Sequence, residues 1–181
     1  MATMSFPKFA FWAAAAAAAA AALPTHVTKF LLVASTAEAK YDPSCANYNA
    51  SHVQAVSATS LFDPFNQPAI LLRLIGPGYG SLPNFTITSG TLSTVADAPY
   101  GGGPKLYNST VVDAGQALQF LASVQPAGNL ALNEDDLLTV RGEKHGWTIC
   151  DGDLGEQVLY WKGTADGCQP TYLHAVTKAP Y

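Results

Sequence analysis

Carboxylates, histidines, cysteines and aromatic side chains are the residues here whose types and spacing could do chemistry. Carboxylates gather twice, at Glu134-Asp135-Asp136 and at Asp151-Gly152-Asp153 with Glu156. Glycoside hydrolysis needs two carboxyls about 5 to 9 Å apart, one to donate a proton and one to attack or activate water, and neighbours in one turn seldom meet that geometry. A twelve-residue calcium loop needs a fixed ligand series closed by a glutamate, which the run from Asp151 lacks. Both clusters therefore read as solvated hairpin turns. His26, His52, His145 and His174 are far apart, and none has a His or Cys partner at metal-ligand spacing. No Gly-x-Ser-x-Gly elbow occurs, and Gly76, Gly78 and Gly80 do not lead into a phosphate-binding helix. These observations predict no catalytic residue, no metal ligand and no cofactor.

Aromatics are the better lead. Tyr79, Tyr100, Trp147 and Trp161 are the candidates to stack on pyranose faces, with Asp, Asn and backbone groups taking the sugar hydroxyls. Tyr160 and Trp161 are adjacent and face opposite sides of any strand, so at least one of them belongs to the core. The three cysteines, Cys45, Cys150 and Cys168, are an odd set of which two should pair in an oxidising compartment. The preferred pair is Cys150 with Cys168, brought together by a three-stranded meander that includes the strand 157 to 161; Cys45 with either late cysteine is the competing arrangement.

The compartment follows from the first residues. Lys8 precedes an apolar run from Phe9 to Leu23 that includes ten consecutive alanines, Ala13 to Ala22, and Pro24 ends it. That is the layout of a secretory signal peptide, with cleavage expected near Ala22, which leaves a single mature domain over 23–181. A membrane span needs about 18 or more strongly apolar residues, and no later segment reaches that length, so no span is expected in the mature chain. Three sequons, at Asn49, Asn84 and Asn108, are expected to carry glycans. Without Lys8, eight cations face thirteen carboxylates, which disfavours nucleic acid as a partner.

Hydrophobic periodicity is mostly two, in short runs rich in Val, Ile, Leu, Thr and aromatics and punctuated by Gly, Pro, Asn and Asp. It predicts strands at 28 to 34, 52 to 58, 69 to 75, 84 to 88, 91 to 95, 107 to 112, 117 to 121, 129 to 132, 136 to 140, 146 to 150, 157 to 161 and 171 to 176. The one helical candidate beyond the leader is 34 to 40. Phe85-x-Ile87-x4-Leu92-x-Thr94-Val95 recurs as Leu130-x-Leu132-x4-Leu137-x-Thr139-Val140, with a partial third copy at Trp147 to Leu154. Each copy reads as a hairpin. The expected fold is all-β, one compact domain of about twelve short strands, β-trefoil-like or a small barrel, with a two-sheet sandwich as the alternative.

With its leader, its sequons, the hairpin Phe85 to Leu92, the strand Gly146 to Ile149 and the late cysteines Cys150 and Cys168, the chain resembles small secreted fungal cell-wall proteins of the phialide-protein type and related IgE-binding antigens. The resemblance implies a wall-associated, non-catalytic protein with a structural or developmental role, in contact with cell-wall polysaccharide, and transfers no catalytic residue. The runner-up is an extracellular carbohydrate-binding module or secreted effector, and the third reading is a small hydrolase using Asp151 or Asp153.

Overall fold

The structure is a computed structural model that describes residues 28–38, 53–59, 69–75, 82–98, 102–152 and 155–179. The expected leader, Cys45, Asn49, Tyr79, Tyr100 and Asp153 lie outside the described residues.

The chain is all-β. Its strands in order are β1 (Leu31–Ser35), β2 (Val53–Thr59), β3 (Ala69–Ile75), β4 (Phe85–Thr88), β5 (Thr91–Asp97), β6 (Pro104–Ser109) and β7 (Gln116–Ala117). They continue with β8 (Gln119–Leu121), β9 (Leu130–Leu132), β10 (Leu138–Val140), β11 (Trp147–Asp151), β12 (Gln157–Trp161), β13 (Gln169–Pro170) and β14 (Tyr172–Val176). Each predicted strand has a counterpart. The expected helix over 34 to 40 does not form in its described part, because Ala34 and Ser35 complete β1 and 36–38 are bend and coil. The strand expected at 107 to 112 runs instead from Pro104 to Ser109.

Pairing is antiparallel throughout. One path runs β13-β11-β12-β3-β8-β6-β5-β4, and β14-β1-β2 joins it at β3. β3 pairs with β8 through Ala69 to Leu71 and with β12 at Arg73, so the sheet divides along this strand. The far end of the path meets the β14-β1-β2 branch: Phe30, just ahead of β1, and Phe85 of β4 form an antiparallel bridge with mutual backbone hydrogen bonds of 3.0 and 2.7 Å. The curled sheet thereby closes on itself, which limits exposed edges.

Strict alternation in β3, with Ile70, Leu72 and Leu74 buried, feeds the interior. Phe30, Phe85 and Phe120 stack across the closure, with ring centroids 6.4 and 6.1 Å apart. β1 is buried on both faces. Leu32 and Ala34 enter the main core, while Val33 joins a small cluster with Val53 and Val176.

The repeated motif is a pair of hairpins with different registers. In the first copy Phe85 faces Thr94 and the turn is Ser89-Gly90, both at positive φ, the geometry of a tight hairpin. In the second copy Leu130 faces Val140 rather than Thr139. The extra loop length is held by Asn133, whose Oδ1 accepts from the amides of Asp135 and Leu137 at 3.0 and 2.8 Å. The threonines keep one role in both copies: Thr94 donates to the Asn84 carbonyl at 2.9 Å and Thr139 to that of Ala131 at 3.1 Å.

Candidate functional site

β11 sits between β12 and β13, and its register with β13 pairs Ile149 with Gln169. One step further along that register, Cys150 faces Cys168, and the two form a disulfide with a Cα separation of 4.2 Å. The pairing is the expected one but the strand order is not a meander. After Trp161 the chain turns at Lys162, which has φ 51°, and crosses to the opposite edge of β11 instead of extending beyond β12. Gly163 lies on this crossing because a Cβ there would stand 2.7 Å from both Cys150 Sγ and Thr148 Oγ1.

Beside the disulfide is an open recess of ≈ 180 Å³, lined by Asp151, Tyr160, Thr164, Gly115 and the bridged cysteines. Asp151 is exposed, and among the described residues no second carboxylate lines the recess. Glu156, the other described acid of that cluster, forms an ion pair with the largely buried Arg73. Among the described residues no group of three or more His, Cys, Asp or Glu side chains is placed to hold a metal ion.

A second polar group forms where the end of β1, the loop before β11 and the start of β14 meet. Lys144 is paired with Glu38, and the Tyr172 hydroxyl lies 3.0 Å from His145 Nδ1 and 3.5 Å from Glu38 Oε2. The hydrogen bond from Lys144 lowers the Glu38 pKa, and the bond to Glu38 raises that of Lys144. The group lies on the surface, with His145 and Glu38 exposed. His174, two residues on, is buried: its Nε2 meets the Ala37 carbonyl at 2.9 Å, Nδ1 has no partner, and burial pushes its pKa down.

Of the four candidate stacking residues, the two described ones, Trp147 and Trp161, turn into the core. Trp147 and Trp161 are 1% and 4% exposed and pack edge to face on each other, centroids 5.1 Å apart. The Trp147 indole N–H donates to the Leu138 carbonyl at 2.8 Å, so its polar edge is satisfied inside the core. Neither ring is available to a sugar. Gly146 is fixed by the same packing, since a Cβ there would meet the Trp161 ring at 2.7 Å. Among the described aromatics Tyr160 is the one on the recess, and its place opposite the core-facing Trp161 is the signal for it.

Of the sequons, Asn84 is exposed just ahead of β4. Asn108, in β6, is half-buried, and its amide accepts from the Ser93 hydroxyl at 2.8 Å and donates to the Ser123 carbonyl at 3.1 Å. Among the described residues no helix is long and apolar enough to cross a membrane.

Fold and sites together define an all-β, disulfide-stapled domain. No protein family, curated protein or solved structure matches the chain.

Proposed function

We propose that the chain is a secreted, non-catalytic glycoprotein of a cell wall or cell surface with a structural or developmental role, related to the phialide-type wall proteins that its motifs resemble. The observation that carries this reading is the Cys150–Cys168 bridge, because a disulfide between adjacent strands persists where thiols are not kept reduced. The leader-like N-terminus and the exposed sequon at Asn84 support it. Expression in a glycosylating secretory host is expected to deliver to the medium a chain beginning near Leu23, heavier than its polypeptide mass and shifted down by an N-glycan-removing enzyme. It is also expected to sediment with insoluble wall polysaccharide. A retained leader with unshifted mobility would overturn the reading.

A carbohydrate-binding module or secreted effector is the second reading, favoured by the recess where Tyr160 stands beside Asp151 and Thr164. Saturable binding of one soluble oligosaccharide on a glycan array, lost in Tyr160→Ala, would put this reading first.

A further inference from the structure

Among the described residues the exposed large hydrophobic side chains are Val95, Leu106 and Val124, at 59%, 55% and 95% exposure. They are not scattered. Val95 and Leu106 are direct cross-strand partners on β5 and β6, and Val124 follows Ser123, the residue whose carbonyl accepts from Asn108.

The same neighbourhood holds both described sequons. In β4, β5 and β6 the side chains of Phe85, Leu92, Thr94, Tyr107 and Ser109 point inward and are buried. Alternation therefore puts Thr86, Ser93, Val95, Leu106 and Asn108 on the outer face. The register pairs Thr86 with Ser93 and Ser93 with Asn108 in one row, and Val95 with Leu106 in the next. Continuing the β4–β5 register by one residue sets Asn84 opposite Val95, and the Thr94 hydroxyl bonded to the Asn84 carbonyl ties the chain there. Asn84, Val95 and Leu106 thus stand in one row, with Asn108 in the row beside it.

We propose that the outer face of β4–β5–β6 is a glycan face, with N-linked oligosaccharides on both Asn84 and Asn108 whose inner sugars lie over the Val95–Leu106 pair. This rests on the secretory reading above. An exposed apolar pair invites association, and a bulky polar cover rooted beside it suppresses that. The apolar C–H faces of pyranose rings suit Val and Leu, while their hydroxyls reach the flanking Thr86 and Ser93.

The transfer is the ordinary one from a polyprenyl-diphosphate-linked oligosaccharide. The bond from sugar C1 to phosphate oxygen breaks, C1 bonds to asparagine Nδ2, the amide gives up one proton, and the polyprenyl diphosphate leaves. The hydrogen left on Asn108 Nδ2 is enough to keep its bond to the Ser123 carbonyl.

The test uses the protein secreted from a glycosylating host. Glycopeptide mapping is expected to find both Asn84 and Asn108 occupied, with occupancy lost singly in Thr86→Val and Thr110→Val, which remove the acceptor hydroxyl and leave each asparagine in place. Complete removal of N-glycans from the folded protein is expected to raise binding of a hydrophobic dye several-fold and to cause concentration-dependent light scattering. Trimming to a single sugar is expected to do so far less, and Val95→Thr with Leu106→Thr to abolish the rise. Glycan on Asn49 alone would overturn this proposal while leaving secretion intact. No glycan at any sequon would overturn both. Two occupied sites with unchanged dye binding after removal would overturn the covering role.

Discussion

At Gly90 and Gly128 two backbones touch. A Cβ on Gly128 would lie 2.1 Å from the Gly90 oxygen, and one on Gly90 would lie 2.4 Å from the Gly128 oxygen, while Gly128 N donates to Ser89 O at 3.0 Å. The β4–β5 turn is locked onto the segment before β9 at this point. Gly128→Ala is therefore expected to destabilise by about 1–3 kcal/mol through forced backbone separation. Gly115→Ala meets nothing within 4 Å and carries only its positive φ of 78°, so about 1 kcal/mol is expected. Equilibrium urea unfolding of the two variants measures the difference, and equal losses would refute the packing argument.

His174 gives a pH dependence whose sign is fixed. Burial lowers its folded pKa below the ordinary value of 6.5, so below that pH the unfolded chain binds more protons than the folded one. Its contribution is complete above about pH 6.5 and is lost as pH falls toward the depressed folded value. The melting temperature is expected to fall between pH 6.5 and 5, and His174→Gln to flatten that slope. At the Lys144–Glu38 pair the depressed Glu38 pKa acts lower, its contribution being lost as pH falls below 4.5. Residue type and spacing named the cysteines that pair, but they could not place the tryptophans. Whether an indole stacks on a sugar or on another indole depends on burial, and that is decided by strands distant in sequence.

Among the elements, hairpins were the most legible because their signals are local: alternation on each side and Gly, Asn or Asp between. Their registers were not. The two copies of the repeat share spacing, yet the Asn133 loop shifts the second pairing by one residue, a consequence of side-chain hydrogen bonds that spacing does not encode. β13 escaped notice because two residues, one of them proline, have no periodicity; Pro170 fits there as an edge position. The staple that β13 makes possible has a measurable size. Cys150→Ser with Cys168→Ser opens a loop of 18 residues and is expected to cost about 3 kcal/mol by loop entropy. Reversible denaturant unfolding checks it, and a loss below about 1 kcal/mol would mean that β11 and β12 hold the region unaided.

For the molecule as a whole, alternation was enough to assign an all-β domain: inward and outward residues repeat along β3 and the start of β5, although β1, β10 and β14 are buried on both faces. Closure was hidden. It depends on Phe30 meeting Phe85 and on β1 lying between β2 and β14, pairings among distant segments that no local pattern announces. β14 also anchors the far side of the molecule: Thr171 donates to Ser35 O at 3.1 Å, and its amide to Trp147 O at 2.9 Å. A chain ended at Pro170 is expected to lose cooperative unfolding altogether, whereas removal of 177–181 is expected to shift the midpoint little. Circular dichroism melts of the two truncations decide this, and a cooperative melt for the shorter chain would refute the anchoring role.

The pairing of Leu31 with Val176 makes the first described strand wait for the last. At about 5–20 residues per second, the β14-facing edge of β1 stays unpaired for roughly ten seconds after β1 is made, so the sheet cannot close before β14 is made. Its contact order is accordingly high, and folding on the millisecond-to-second scale is the expectation for such a topology. Even with β2 paired, the burial of Leu32, Val33 and Ala34 is incomplete until β14 covers their other edge. A holdase that caps β1 until Val176 arrives would raise the yield of folded protein without touching its final stability.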